Sequence, residues 1–281
     1  MEQRDAEPRP RGMVGGRNLP VAIAVGIVLA AAFLGALFWR GEAVVALITI
    51  LATLAAVEVA RPLASVGVRV LRVPLVLSVV VSVPGTYLLG PAGQGLGMSV
   101  LLISAFLWLL IDRDRTAVVA SLGVTTFFGV WLALFASFAS RLVDRPDDGP
   151  LVVLAVVGAV ILTDIGGYAF GVPFGRHKVA PSVSPGKSWE GLVGGLAAAA
   201  VLAVLVLPRL GGTFTPASAA VVALAAGGAG FIGDLVQSMV KRDLGVKDLG
   251  DLLPGHGGVL DRVDGILFAL PVGYYGLALF A

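Results

Sequence analysis

The sequence predicts an all-α polytopic membrane protein of about nine transmembrane helices, N-terminus cytoplasmic and C-terminus outside. Three observations predict it. The 281-residue chain is 57% hydrophobic and 14% charged, with a mean hydropathy of +0.95, too little polar surface to coat a soluble domain. Its apolar residues run in stretches close to the roughly 20 that a helix rising about 1.5 Å per residue needs to cross about 30 Å of hydrocarbon. Its basic residues gather in alternate connections between those stretches, the asymmetry of the positive-inside rule.

Residues 1–19 are polar and rich in Arg and Pro, and read as a disordered cytosolic tail. The apolar stretch 20–39 is longer than a signal-peptide core and lacks a small-residue cleavage site at its end, so it is expected to remain as the first span. Further spans are predicted at 43–60, 74–90, 95–111, 116–140, 150–172, 191–207, 217–240 and 265–281. Residues 20–149 thus hold about five spans, and 150–281 form a second membrane region carrying two charged loops, 173–190 and 241–264. With the N-terminus inside, the inner segments hold 16 of the 20 basic residues, leaving Arg40, Arg141, Arg145 and Arg209 outside. One span more or fewer would invert every later loop and destroy this asymmetry. Both charged loops then share the inner face.

The absence of cysteine excludes disulfides, thiolate nucleophiles and sulfur-ligated metals, and two histidines are too few for a His-rich metal site. A metal here would sit on oxygen. The near-neutral balance of +2 directs attention to where the charges lie, and no nucleic-acid partner is expected.

Two aspartates fall inside apolar stretches. Asp234 lies in the eighth, and an ionised Asp at bilayer depth is costly enough that such residues usually face a polar cavity and serve function. Asp234, Ser238 and Lys241, spaced i, i+4 and i+7, are predicted on one helical face leading toward the inner surface. The glycines before Asp234, from Gly227 to Gly233, suit close helix packing. Asp164 lies similarly in the sixth stretch, one turn before Tyr168.

The loop "RHKVAPSVSPGKSWEG" contains Gly-Lys-Ser but is not a phosphate-binding P-loop, because Pro181 stands where that motif needs glycine and an apolar helix stands where it needs a strand. A Ser-Pro-Gly turn presenting Ser184, Lys187 and Ser188, with Glu190 opening the next span, is expected instead. In the second loop, Lys241, Arg242, Lys247 and Arg262 are interleaved with Asp243, Asp248, Asp251, Asp261 and Asp264 around a Pro254-Gly255-His256-Gly257-Gly258 turn. Carboxylates suit Mg²⁺, while Lys and Arg neutralise phosphate oxygens as charge builds in phosphoryl or nucleotidyl transfer.

Ser238-x-x-Lys241-Arg242, then Lys247-Asp248, then Pro254-x-His256-Gly257-Gly258-x-x-Asp261-Arg262-x-Asp264 resembles the signature of the phosphatidate cytidylyltransferase (CDP-diacylglycerol synthase) family. "SPGKSWEG" resembles that family's second, looser block, with Gly186 where lysine is common. The detailed likeness covers residues 160–264. It implies transfer of CMP from CTP to phosphatidate with release of pyrophosphate, without a covalent enzyme intermediate. It makes 150–281 the catalytic membrane domain and implies metal-associated roles for Asp234 and Asp261, a K⁺ beside Mg²⁺, and a homodimer. The expected catalytic set is Asp234, Asp261, Lys241, Arg242, His256 and Asp264. Substrate contacts are expected from Ser184, Lys187, Ser188, Glu190, Ser238, Lys241, Arg242, Lys247, Asp248 and Arg262. Mg²⁺ is expected on Asp234 and Asp261, with Asp264 and Asp164 as further candidates. The expected setting is the plasma membrane, with the site on its cytoplasmic side, open to lipid and to CTP. The alternatives are a CTP-dependent lipid kinase and, in a different class, a cation-coupled transporter; the latter predicts an internal repeat that the sequence does not display.

Overall fold

Helices account for most of the protein, because a chain in lipid must satisfy its backbone polar groups within each segment. The computed structural model describes residues 13–14, 17–113, 116–212, 214–254 and 257–280. In the predicted N-terminal tail, strands β1 (Met13–Val14) and β2 (Arg17–Asn18) pair antiparallel and lead into α1 (Leu19–Trp39); the rest of that tail lies outside the described residues. Helix α2 (Gly41–Glu58) is followed directly by the short α3 (Ala60–Ser65). After these come α4 (Arg72–Leu89), α5 (Pro91–Ile111) and α6 (Val118–Gly129), which continues through a π-helical turn at Val130–Phe135 into α7 (Ala136–Val143). The second half contains α8 (Gly149–Phe174), a hairpin of β3 (Lys178–Ala180) and β4 (Ser184–Ser188), α9 (Trp189–Leu210), α10 (Pro216–Asp243) and α11 (Leu260–Ala278).

Each predicted apolar stretch thus becomes a helical rod. Seven helical stretches among the described residues are long and apolar enough to cross a membrane. The protein is an all-α polytopic membrane protein. Large apolar side chains such as Ile27, Phe38, Leu88, Ile111 and Val119 point outward, as a bilayer solvent permits. Half of the apolar window of α8 and of α10 is buried, against 22% for α5 and α9. The first pair is therefore the centre of the bundle and the second its lipid-facing edge.

Helix α8 packs along α9, α4 along α5, and α10 along α11. The α10–α11 pair depends on absent side chains: a Cβ on Gly265 would stand 2.9 Å from the Gly230 carbonyl, and one on Gly233 would stand 2.9 Å from the Asp264 carbonyl. The two helices run antiparallel, so that Gln237 and Lys241, after Asp234, come beside Asp261, while Gly265, after Asp261, lies against Gly230.

Two predicted loop features are corrected. Ser184-Pro185-Gly186 is strand, and the turn lies at 181–183, closed by the Val183 amide donating to the Ala180 carbonyl at 3.1 Å. Pro185 is tolerated there because a two-stranded hairpin has open edges that need no donor. Lys241 and Arg242 belong to the last turn of α10 rather than to a loop, their positive charge suiting a helix C-terminus.

Candidate active site

The site lies where β4, the C-terminal half of α10 and the start of α11 meet. Asp234 projects from α10 with its side chain 35% exposed. Its Oδ2 pairs with Lys187 Nζ at 2.6 Å, and its Oδ1 accepts from Ser238 Oγ, one turn on, at 3.3 Å. Lys187 comes from β4 and is held from two further sides. It donates to the Phe231 carbonyl at 3.4 Å and lies 4.1 Å from the centre of the Phe231 ring. Arg242 Nε donates to the Val183 carbonyl at 3.3 Å, so the end of α10 touches the β3–β4 turn directly.

A second knot forms one turn along α10. Asp261, in the first turn of α11, has a side chain only 2% exposed, and both its oxygens are occupied. Oδ1 accepts from Lys241 Nζ at 3.0 Å and Gln237 Nε2 at 3.2 Å; Oδ2 accepts from the amides of Leu249 at 2.9 Å and Gly258 at 3.1 Å. Lys241 also donates to Gln237 Oε1 at 3.2 Å. Gly258 is required for this closure, because a Cβ there would lie 2.8 Å from Asp261 Oδ2 and 2.7 Å from the Gly250 amide. The turn between is pinned by reciprocal hydrogen bonds of Leu253 with Gly257, which has φ +86°. His256 lies outside the described residues.

Asp264 interacts electrostatically with Asp234, Lys241 and Asp261, and Asp164 with Lys187 and Asp234. Asp234 pairs with Lys187 and Asp261 with Lys241, and Asp164 and Asp264 lie close enough to interact with these pairs. Carboxylate oxygens such as that of Asp234 suit a hard divalent cation such as Mg²⁺, which commonly uses one or two carboxylates and completes its shell with water and phosphate. No cluster of three or more metal-ligating side chains occurs among the described residues. Asp234 presents a half-open carboxylate, whereas an ion reaches Asp261 only by displacing one of four donors.

Around this acidic centre stand cations. Arg242, Lys247 and Arg262 are exposed at its rim. Asp248 is half-buried against Gly257, where it packs into the loop. Ser184 is half-buried in β4, opposite Ala180. Two expected substrate contacts also have partners within the protein. Ser188 is 3% exposed and accepts from the Gly191 amide at 3.2 Å, so its hydroxyl caps α9. Glu190 accepts from the Arg176 and His177 amides and from His177 Nδ1 at 2.6 Å, which fastens the end of α8 to the start of α9.

Sequence reasoning missed Glu58 and Gln237. Glu58, at the end of α2 and 5% exposed, accepts from the Leu252 amide at 2.9 Å and the Val259 amide at 2.6 Å, and so clasps both flanks of the charged turn. A Cβ on Gly250 would collide with its carboxylate at 2.3 Å. The argument that singled out Asp234, an acid at the inner end of an apolar stretch, applies equally to Glu58. Gln237 carried no signal, since an amide one turn from Lys241 is unremarkable until Asp261 arrives beside it.

A carboxylate core rimmed by lysine and arginine, at the end of an apolar helical bundle, defines a membrane enzyme of the phosphoryl- or nucleotidyl-transfer type. The chain belongs to the cytidylyltransferase family, whose model matches residues 20–280. It is 35% identical over 273 residues to the phosphatidate cytidylyltransferase of Mycobacterium bovis, covering 93% of this chain and 89% of that one. It is 36% identical over 279 residues to the Mycobacterium leprae enzyme of the same name, covering 94% and 89%. It is also 44% identical over 135 residues to that of Haemophilus influenzae, covering 45% of each chain.

Proposed function

We propose that the protein transfers CMP from CTP to phosphatidate, giving CDP-diacylglycerol and pyrophosphate. The phosphatidate phosphate oxygen bonds to the α-phosphorus of CTP as the bond to the β-phosphate oxygen breaks, and pyrophosphate carries away the electron pair. The nucleophile is already anionic at neutral pH and needs no strong base. The difficulty is repulsion between two polyanions, which the cationic rim reduces. Lys187, Lys241, Arg242, Lys247 and Arg262 bind phosphate oxygens, Arg through paired contacts. Mg²⁺ is assigned to Asp234 and Asp261, with Asp264 and Asp164 behind them. When bound, it supplies positive charge to entering and leaving oxygens. The family likeness extends the reading to K⁺ as a second ion and to a homodimer.

The single observation that carries this reading is the Lys187–Asp234 pair at 2.6 Å, which unites the two signature-bearing segments in one site. Nine membrane crossings, N-terminus inside, and a site on the cytoplasmic side of the plasma membrane follow from the distribution of basic residues. Contacts between Arg242 and Val183 and between Arg61 and Asp251 support the sidedness, since both join segments assigned to the inner face. Purified protein supplied with radiolabelled CTP and phosphatidate should yield labelled CDP-diacylglycerol and one pyrophosphate per turnover. Release of CDP with labelled phosphate on lipid would make it a lipid kinase, and no CTP consumption would remove the enzyme from this class.

A further inference from the structure

An apolar groove of about 380 Å³ runs between α1, α2, α8 and α11. Phe33 of α1, Leu51 of α2 and Ile266 of α11 stand on its walls. Its lining carries one charged residue, Arg262, which directly follows Asp261. Leu253 and Val259 line it at the same end, and they flank the charged turn that Glu58 clasps. The groove is therefore apolar along its length and ends at Arg262, whose neighbour in sequence, Asp261, faces α10 from the other side of the same helix turn.

We propose that this groove receives one acyl chain of the lipid substrate and sets the chain length accepted, with Arg262 meeting the lipid phosphate at its mouth. The inference rests on the proposed lipid substrate. Charge complementarity selects the occupant, because a guanidinium beside an apolar slot matches an anionic phosphate joined to hydrocarbon and gives a zwitterionic lipid less. Gly158 of α8 marks the free space. It lines the groove, and a Cβ built there meets no atom within 4 Å. A side chain added at this position starts in open space and extends into the slot.

The test is Gly158→Leu, compared with Gly123→Leu on α6, an equally open glycine outside the groove lining. Pyrophosphate release is measured with dioleoyl and with dioctanoyl phosphatidate in mixed micelles. Gly158→Leu should lower the ratio of kcat/KM for the long chain over the short by about tenfold, the worth of about two buried methylenes. Gly123→Leu should leave the ratio where it is in the parent. An unchanged ratio in Gly158→Leu, or an equal fall in both variants, overturns the groove. A second measurement stands apart from turnover: phosphatidate carrying a diazirine at the end of one acyl chain should label α1 and α8 peptides facing the groove. Unlabelled phosphatidate should compete this away and phosphatidylcholine should not. Labelling without turnover would reject the reaction while keeping the groove; absence of labelling, or equal competition by phosphatidylcholine, leaves bulk lipid as the only occupant and overturns the proposal.

Discussion

Lys187 and Asp234 meet at 2.6 Å, joining the end of a two-stranded hairpin to the middle of a helix in apolar surroundings. Neither charge is otherwise easily accommodated there, since a charge removed from water needs a partner. Asp234→Asn keeps the shape and loses the charge. CTP incorporation into lipid is expected to fall at least roughly a hundredfold, the scale of losing a preorganised electrostatic group. The protein should still reach the membrane in parental amounts. Full activity in this variant would sink the assignment. Lys187→Ala should act mainly on KM, with Lys187→Arg recovering part of the loss.

Asp261 should behave differently. Its two oxygens hold four donors, two of them loop amides, so Asp261→Asn affects the fold as well as chemistry. Removing one partner of a buried ion pair typically costs about 3–5 kcal/mol. A clear drop in Tm in detergent is expected for Asp261→Asn, larger than for Asp234→Asn. Equal Tm values would show that the four-donor network does not organise the loop.

Glu58 touches backbone alone, yet its loss should be felt at the site. Glu58→Ala leaves the Leu252 and Val259 amides without acceptors, each worth about 1–3 kcal/mol when buried. Limited proteolysis between residues 244 and 259 should accelerate and activity should fall, with Glu58→Gln intermediate. Parental protease resistance in Glu58→Ala would remove α2 from any part in shaping the site.

Ser188 tests the opposite case. As the cap of α9 its replacement by Ala should cost about 1 kcal/mol of stability, with KM for both substrates unchanged. A raised KM for either would return its hydroxyl to the substrate.

Chelation addresses the ion. The assignment of Mg²⁺ to the Asp234 and Asp261 carboxylates predicts that activity is lost in EDTA and restored by Mg²⁺. Persistence of the reaction through exhaustive chelation would reassign Asp234 and Asp261 to purely electrostatic roles.

Much of the site was legible because its residues are chemically out of place where they stand. Asp164 and Asp234 were visible as acids in apolar stretches, and the charged segment 241–264 by its contrast with everything around it. What could not be read was the division of labour. Ser188 and Glu190 stand two residues apart in a motif-bearing segment, and only the close passage of α8, where a Cβ on Gly175 would lie 2.5 Å from Ser188 Oγ, shows that they fasten helices together. Lys241, expected on one strip with Asp234, turns instead to Gln237 and Asp261, because the approach of α11 offers a buried carboxylate.

The sequence by itself determined the helical rods, the apolar faces and the places where charge collects. These follow from local composition and from the rule that a backbone in hydrocarbon must satisfy itself within its own segment. The tertiary structure alone decided which carboxylate holds which cation, and that Glu58 from the second rod secures a loop near the end of the chain. Those pairings depend on how far each helix is rotated about its axis and how closely small residues let it approach its neighbour, and no stretch of sequence carries that information alone.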